Sequence, residues 1–195
     1  MCLVLNIEAQ VKSRYSFGIN LSTMALDVPG LNSNPTVPLG IHFGRIFEIP
    51  VAGNFTFQPG ILFSSKGTDY NTDSAHFSLS PIYIEVPVNV AFSLGKGNFR
   101  IFFFTGPYLA CGVGGTRLDS RHGLKEIRFG NGSDKDLRLF DAGLDFGAAV
   151  NIKKIVVSAQ YSTGLTNIAP LTEDKPEMKN RVIGISFSSA FIGKN

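Results

Sequence analysis

The sequence predicts an all-β fold: an eight-stranded antiparallel up-and-down transmembrane β-barrel. Three observations predict it. Eight segments alternate apolar residues with small or polar ones, the period of a strand whose two faces meet different surroundings. Each segment runs about nine to sixteen residues; a soluble strand averages about 5–6, and a tilted strand needs about 9–11 to cross a bilayer. The connections alternate long and short along the chain. That is the pattern of membrane barrels, with short turns at one end and longer loops at the other.

The elements follow in order. Tyr15, Phe17, Ile19 and Leu21 interleave with Ser16, Gly18, Asn20 and Ser22. Leu39, Ile41 and Phe43 alternate with Gly40, His42 and Gly44. Phe55, Phe57, Ile61 and Phe63 oppose Thr56, Gln58, Gly60 and Ser64. Ile82 to Val90 carries apolar residues at even positions and Tyr83, Glu85, Pro87 and Asn89 between them. Phe99, Ile101, Phe103, Leu109 and Val113 oppose Arg100, Gly106, Tyr108, Gly112 and Gly114. Leu144, Phe146, Ala148 and Val150 oppose Asp141, Gly143, Asp145 and Gly147. Ile155, Val157, Tyr161 and Leu165 oppose Val156, Ser158, Gln160 and Ser162. Ile183, Ile185, Phe187 and Phe191 oppose Gly184, Ser186, Ser188 and Ala190.

The connections are Asp27–Thr36, Ile49–Asn54, Gly67–His76, Ser93–Asn98, Arg117–Lys135, Ile152–Lys153 and Thr166–Asn180. In the fifth, Lys125–Phe129 and Asp136–Phe140 flank a Gly-Asn-Gly-Ser-Asp run, which predicts a hairpin extending strands five and six beyond the bilayer. A separate pair of strands, making ten, is the alternative. Met1–Gln10 reads as the remnant of a truncated signal peptide, leaving 11–195 as the barrel domain.

Composition agrees and excludes other classes. The 195 residues include 21 Gly, 17 Phe and no Trp, with 17 % charged residues where soluble domains carry about 25 %. A net charge of +3 makes no case for nucleic acid. Mean hydropathy is +0.14, yet no run of 18 apolar residues offers a transmembrane helix. Cys2 and Cys111 form neither a disulfide scaffold nor a zinc site. No metal-ligand spacing and no phosphate-binding loop occurs, so no metal or other cofactor is expected.

A membrane barrel puts its apolar face outward, whereas a soluble lipocalin-like barrel puts it inward. The apolar face carries almost no charge; Arg45 and Arg181 fall near strand ends. The other face is rich in Gly, which suits an eight-strand interior only just wide enough for side chains. Closure requires Tyr15–Leu26 to pair with Arg181–Phe191, because lipid offers unpaired backbone groups no partner. Tyr15, Tyr161 and Phe residues serve as the interfacial girdle that Trp would otherwise help to form.

Several motifs are distinctive: Pro81-Ile82-Tyr83-Ile84-Glu85-Val86-Pro87-Val88, Gly106-Pro107-Tyr108, Asp141-Ala142-Gly143 with Gly147, and Tyr161 with Gly164-Leu165 and Asn167-Ile168. With them the chain, from Arg14 to Phe191, resembles the PorT-like family of small outer-membrane β-barrels of Bacteroidota. The resemblance implies a barrel in the outer membrane of a Gram-negative cell. PorT is linked to protein secretion; the fold and location carry over here, the secretion role does not.

The candidate site is a polar cluster in the lumen: Asn20, His42, Glu85, Arg100, Asp141, Asp145 and Gln160. Counted from the short-turn ends, Asn20, His42, Glu85, Asp145, Gln160 and Ser186 fall at similar heights. Buried charge is costly unless paired, so the cluster reads as a plug that locks the barrel, with a gated pore or ligand site as the alternative. Arg100 lies near the short-turn end and Lys66 near the outer end. The excess of acids over nearby bases predicts a shared or protonated acid at Glu85 or Asp145, against fixed pairing with His42 or Arg100. No catalytic residue is assigned: His42, His76 and His122 lack a Ser and an acid at close spacing, which weighs against a lipid-modifying enzyme. The expected partners are outer-membrane lipid and, through the long loops, a protein or glycan.

Overall fold

The computed structural model describes residues 11–27, 34–72, 75–119, 123–170 and 177–189. Met1–Gln10, read above as a signal-peptide remnant, lies outside them, as do Ala190, Phe191 and His122. The described chain forms eleven strands in one antiparallel sheet. In chain order these are β1 (Lys12–Asp27), β2 (Asn34–Thr36), β3 (Leu39–Ala52), β4 (Phe55–Ser65), β5 (Thr68–Thr72) and β6 (Ala75–Lys96). There follow β7 (Phe99–Asp119), β8 (Gly123–Glu126), β9 (Phe140–Ile152), β10 (Ile155–Gly164) and β11 (Glu177–Ser189).

Eight of the strands close a ring: β1, β3, β4, β6, β7, β9, β10 and β11. The closing pair is β1 with β11, running from Ser16 opposite Ser188 to Asp27 opposite Glu177. No edge of the ring is left for lipid to meet. The strands are staggered. Following paired neighbours from Lys12 through Glu48, Gln58, Asn89, Gly106, Asp145, Ser162 and Val182 returns to β1 at Ser22, ten residues further along. A stagger of that kind is what tilts the strands of a closed barrel.

The faces fall as the alternation predicts. Phe17, Ile41, Phe63, Val86, Phe103, Phe146, Tyr161 and Ile185 project outward and are exposed. Ser16, Asn20, His42, Gln58, Glu85, Asn89, Asp145 and Ser162 project inward and are buried. A soluble barrel would bury the first set and expose the second. Tyr15 and Tyr161 are both exposed on the outer surface, where an interfacial girdle would need them.

Three short strands extend the ring beyond the long-loop end. β5 pairs with the start of β6, β2 pairs with β5, and β8 pairs with the end of β7. The Lys125–Phe129/Asp136–Phe140 hairpin is therefore corrected. Lys125 and Glu126 belong to β8, opposite Arg117 and Thr116. From Ile127 the chain turns inward, and 128–137 close a compact loop through Asp136 N–H to Arg128 C=O (2.8 Å) and Gly130 N–H to Leu137 C=O (2.9 Å). Burial explains the difference: Ile127 and Leu137 enter an apolar cluster over the barrel mouth, which a flat outward hairpin would leave in water.

Candidate functional site in the barrel lumen

The lumen is layered. At the short-turn end, Ala91, Phe102, Phe104, Ala149 and Val156 pack together. The Phe102–Phe103–Phe104 run hides this layer in the sequence, because apolar residues there occupy both faces. Arg100 lies beside it, its guanidinium 5.2 Å from the Phe102 ring.

The next layer is polar. His42 Nδ1 lies 2.7 Å from Asn20 Oδ1, and His42 Nε2 lies 2.7 Å from Ser186 Oγ. Asn20 Nδ2 donates to Ser64 Oγ at 3.1 Å and to the Ser65 carbonyl at 3.0 Å. The imidazole fits because residue 18 is glycine; a Cβ there would stand 2.6 Å from the ring. Beside this trio, Ser162 Oγ donates to Asp145 Oδ1 at 2.6 Å, and Gln160 Nε2 donates to Ser162 Oγ at 3.3 Å. A cavity of about 30 Å³ touches His42, Ser186, Asp145 and Gln160, room for one or two waters.

The charged layer is centred on Lys66, between β4 and β5. Its ammonium lies 2.6 Å from Glu85 Oε2 and 3.6 Å from Asp141 Oδ2, and Lys66 is 2 % exposed. It also lies 4.5 Å from the Tyr108 ring centroid and 5.3 Å from that of Tyr83, a geometry in which the rings attract the cation. Asp141 Oδ2 accepts from Tyr108 Oη (3.1 Å) and Asn180 Nδ2 (2.9 Å), and Asp141 Oδ1 from Thr166 Oγ1 (2.9 Å). The nearest cation to Glu85 is thus Lys66, not His42 or Arg100.

Above Lys66 sits an apolar cap. Met24, Leu79, Ile127, Leu137, Ile168, Ala169 and Met178 form one buried cluster, with Phe77 and Phe129 against it. Phe129 joins the two layers: its ring meets Tyr83 edge-on at 6.0 Å and lies over Gly112, where a Cβ would come within 2.2 Å. The cap is bonded as well as packed. Arg138 N–H donates to Ile168 C=O (2.9 Å), Ile168 N–H to Met178 C=O (2.8 Å), and the Tyr70 hydroxyl to Met24 C=O.

The sequence was compared with known proteins. It matches the family model described as outer membrane protein beta-barrel domain over residues 8–169. The chain belongs to that family. This outer-membrane β-barrel domain lies in the outer membrane of a Gram-negative cell, and its short turns (Gly53–Asn54, Gly97–Asn98, Lys153–Lys154) mark the periplasmic end. Among solved structures it is similar to Ail, the attachment invasion locus protein of Yersinia pestis, in complex with the heparin analogue sucrose octasulfate. Identity is 14 %, covering 92 % of this chain and 97 % of that one, with a TM-score of 0.46. It is also similar to the N-terminal β-barrel domain of Pseudomonas aeruginosa OprF, at 10 % identity, covering 92 % and 98 %, with a TM-score of 0.35. A search of the curated proteins finds no match.

The predicted lumenal residues of this barrel are joined by distinct contacts. Asn20 and His42 bond to each other, Asp145 and Gln160 share Ser162, Glu85 and Asp141 share Lys66, and Arg100 stands apart. His42, Asp145, Gln160 and Ser186, counted to similar heights, line one cavity, with Asn20 bonded to His42 beside it. Lys66 lies just past the end of β4, and Thr166 and Asn180 bound a stretch read as loop, so the alternating segments stop short of all three.

Proposed function

We propose that the protein is a non-conducting outer-membrane barrel with a structural or interaction role, its lumen closed and its outer loops held as a firm platform for a protein or glycan. One observation carries the reading: the cation at the lumen's centre is paired and caged, and an apolar cap covers it. An eight-strand barrel is narrow already, and these layers leave no aqueous path. Purified protein in planar bilayers is expected to show no stable porin-scale current; a large steady current would sink the reading. A PorT-like assignment within the family rests on the motif residues, since Tyr83, Glu85, Tyr108 and Asp141 are the ones gathered round Lys66.

A hydrolase is the second reading, and the Ser186–His42–Asn20 contacts favour it, being the arrangement in which an imidazole activates a hydroxyl. Ser186 is 4 % exposed, however, and the cavity beside it holds little more than water. No ester can approach the hydroxyl. A fluorophosphonate probe is expected to leave Ser186 unlabelled in the folded protein; stoichiometric labelling would revive the enzyme.

A further inference from the structure

Arg45 faces outward from the middle of β3, which runs seven residues beyond it rather than ending near it as the alternation suggested, on a surface otherwise built for lipid. A bare cation near the midplane of that face costs about 2–4 kcal/mol, falling towards zero at the interface. The side chain lies along the surface towards the periplasmic end. Its Nη2 donates to Ser13 Oγ at 2.7 Å, next to the first residue of β1. Its guanidinium sits 5.5 Å from the Tyr15 ring centroid and 5.2 Å from that of Phe47. Two rings and a hydroxyl thus hold the planar fork in place, and a guanidinium has five N–H donors to offer.

Next to this cation opens a groove of about 480 Å³. Phe17, Ile61 and Phe187 line it, together with Phe43 and Phe63, which stack at 5.3 Å. No acid is among its lining residues, so nothing there neutralises Arg45. The volume is that of a small-molecule pocket. An apolar trough ending in a fixed guanidinium that reaches towards the periplasmic end, with no acid among the described lining residues, complements one chemical class: an acyl chain carrying a phosphate.

We propose that the β1–β3–β4 face holds one phospholipid of the periplasmic leaflet, its phosphate on Arg45 and an acyl chain along the Phe43–Phe63 groove. Guanidinium and phosphate form a charge-assisted, two-pronged hydrogen bond that is strong where water is scarce. A bound lipid supplies the counter-charge that no described lining residue of the groove supplies.

The test is native mass spectrometry of the folded, detergent-solubilised protein titrated with dioleoylphosphatidylglycerol. Wild type is expected to retain one lipid. Arg45→Gln and Ile61→Trp should each weaken retention about tenfold, a typical loss for one charged hydrogen bond or a filled groove. Lys154→Gln removes the same charge at the same membrane surface, away from the groove, and should leave retention unchanged. Heat-shifted gel mobility confirms that each variant is folded. Unchanged retention in Arg45→Gln would overturn the proposal, as would an equal loss in Lys154→Gln. Full competition by glycerol 3-phosphate would overturn the lipid in favour of a free-phosphate site. A dimer abolished by Ile61→Trp would assign the groove to a second copy of the chain.

Discussion

The middle of the lumen and its outer end are equally buried, yet they hold together by opposite means. Around Lys66 the chain buries charges and pairs them: Glu85 and Asp141 face the ammonium, and Tyr108, Thr166 and Asn180 hydrogen-bond Asp141. In the cap, Met24, Leu79, Leu137 and Ile168 are buried with no charge among them. The difference follows from what surrounds each layer. Mid-barrel, an apolar outer face is spent on lipid, so alternation leaves polar residues to fill the inside. Beyond the membrane the loops meet water on their outer side, and an ordinary hydrophobic core becomes the stable solution. The molecule is inside-out in its membrane band and right-side-out above it.

The contrast breaks most severely at its charged centre. Lys66→Met leaves Glu85 and Asp141 buried without their cation and should cost about 3–5 kcal/mol in guanidinium unfolding. A loss below about 1 kcal/mol would mean that water reaches the acids freely. In the cap, Leu137→Ala removes a fully buried side chain, and cavities of this kind cost about 2–5 kcal/mol. That loss should appear as faster proteolysis near 123–139 while the ring strands stay protected, because the cap lies outside the closed ladder. Loss of the ring together with the cap would show that the two layers unfold as one.

On the outer face, Val88→Arg should cost about 2–4 kcal/mol, and more than the same change at the lumenal neighbour's conservative variant Asn89→Ser. Comparable stability in both would contradict the face assignment. The smallest effect belongs to the loop surface. Lys179 Nζ reaches Glu177 Oε2 at 3.1 Å with both side chains solvated, so Lys179→Ala should shift the unfolding free energy by less than about 1 kcal/mol.

What was legible in the sequence follows the same division. The eight ring strands, their faces and the β1–β11 closure all come from a period-two pattern, and lipid on one side makes that pattern strict. Glu85, His42 and Asp145 were legible as lumenal because each interrupts a small-residue face. So were three of their partners, since Asn20, Ser162 and Ser186 sit on the same inward faces. Lys66 continues the inward set of β4 just past the segment's end, Asn180 and Thr166 fall in a stretch read as loop, and the stagger that brings them level with Asp141 is a property of the closed ring. The cap was hidden for another reason: Ile127, Leu137 and Ile168 are single apolar residues in polar segments, and only the folded loops bring them together. The predicted hairpin at 125–140 failed at that point, since turn chemistry alone says nothing about which residues are drawn over the barrel mouth.

The central claim is that the lumen is a paired polar core rather than a waterway, and a double-mutant cycle between Lys66 and Glu85 tests it most directly. Unfolding free energies would be measured for wild type, Lys66→Met, Glu85→Leu and the double variant. Each single change strands a charge and should be strongly destabilising, whereas the double change removes both charges and should recover much of the loss, a coupling of about 2–3 kcal/mol. Additive losses, with the double variant as poor as the sum of the singles, would show that the two groups do not hold each other and would contradict the account.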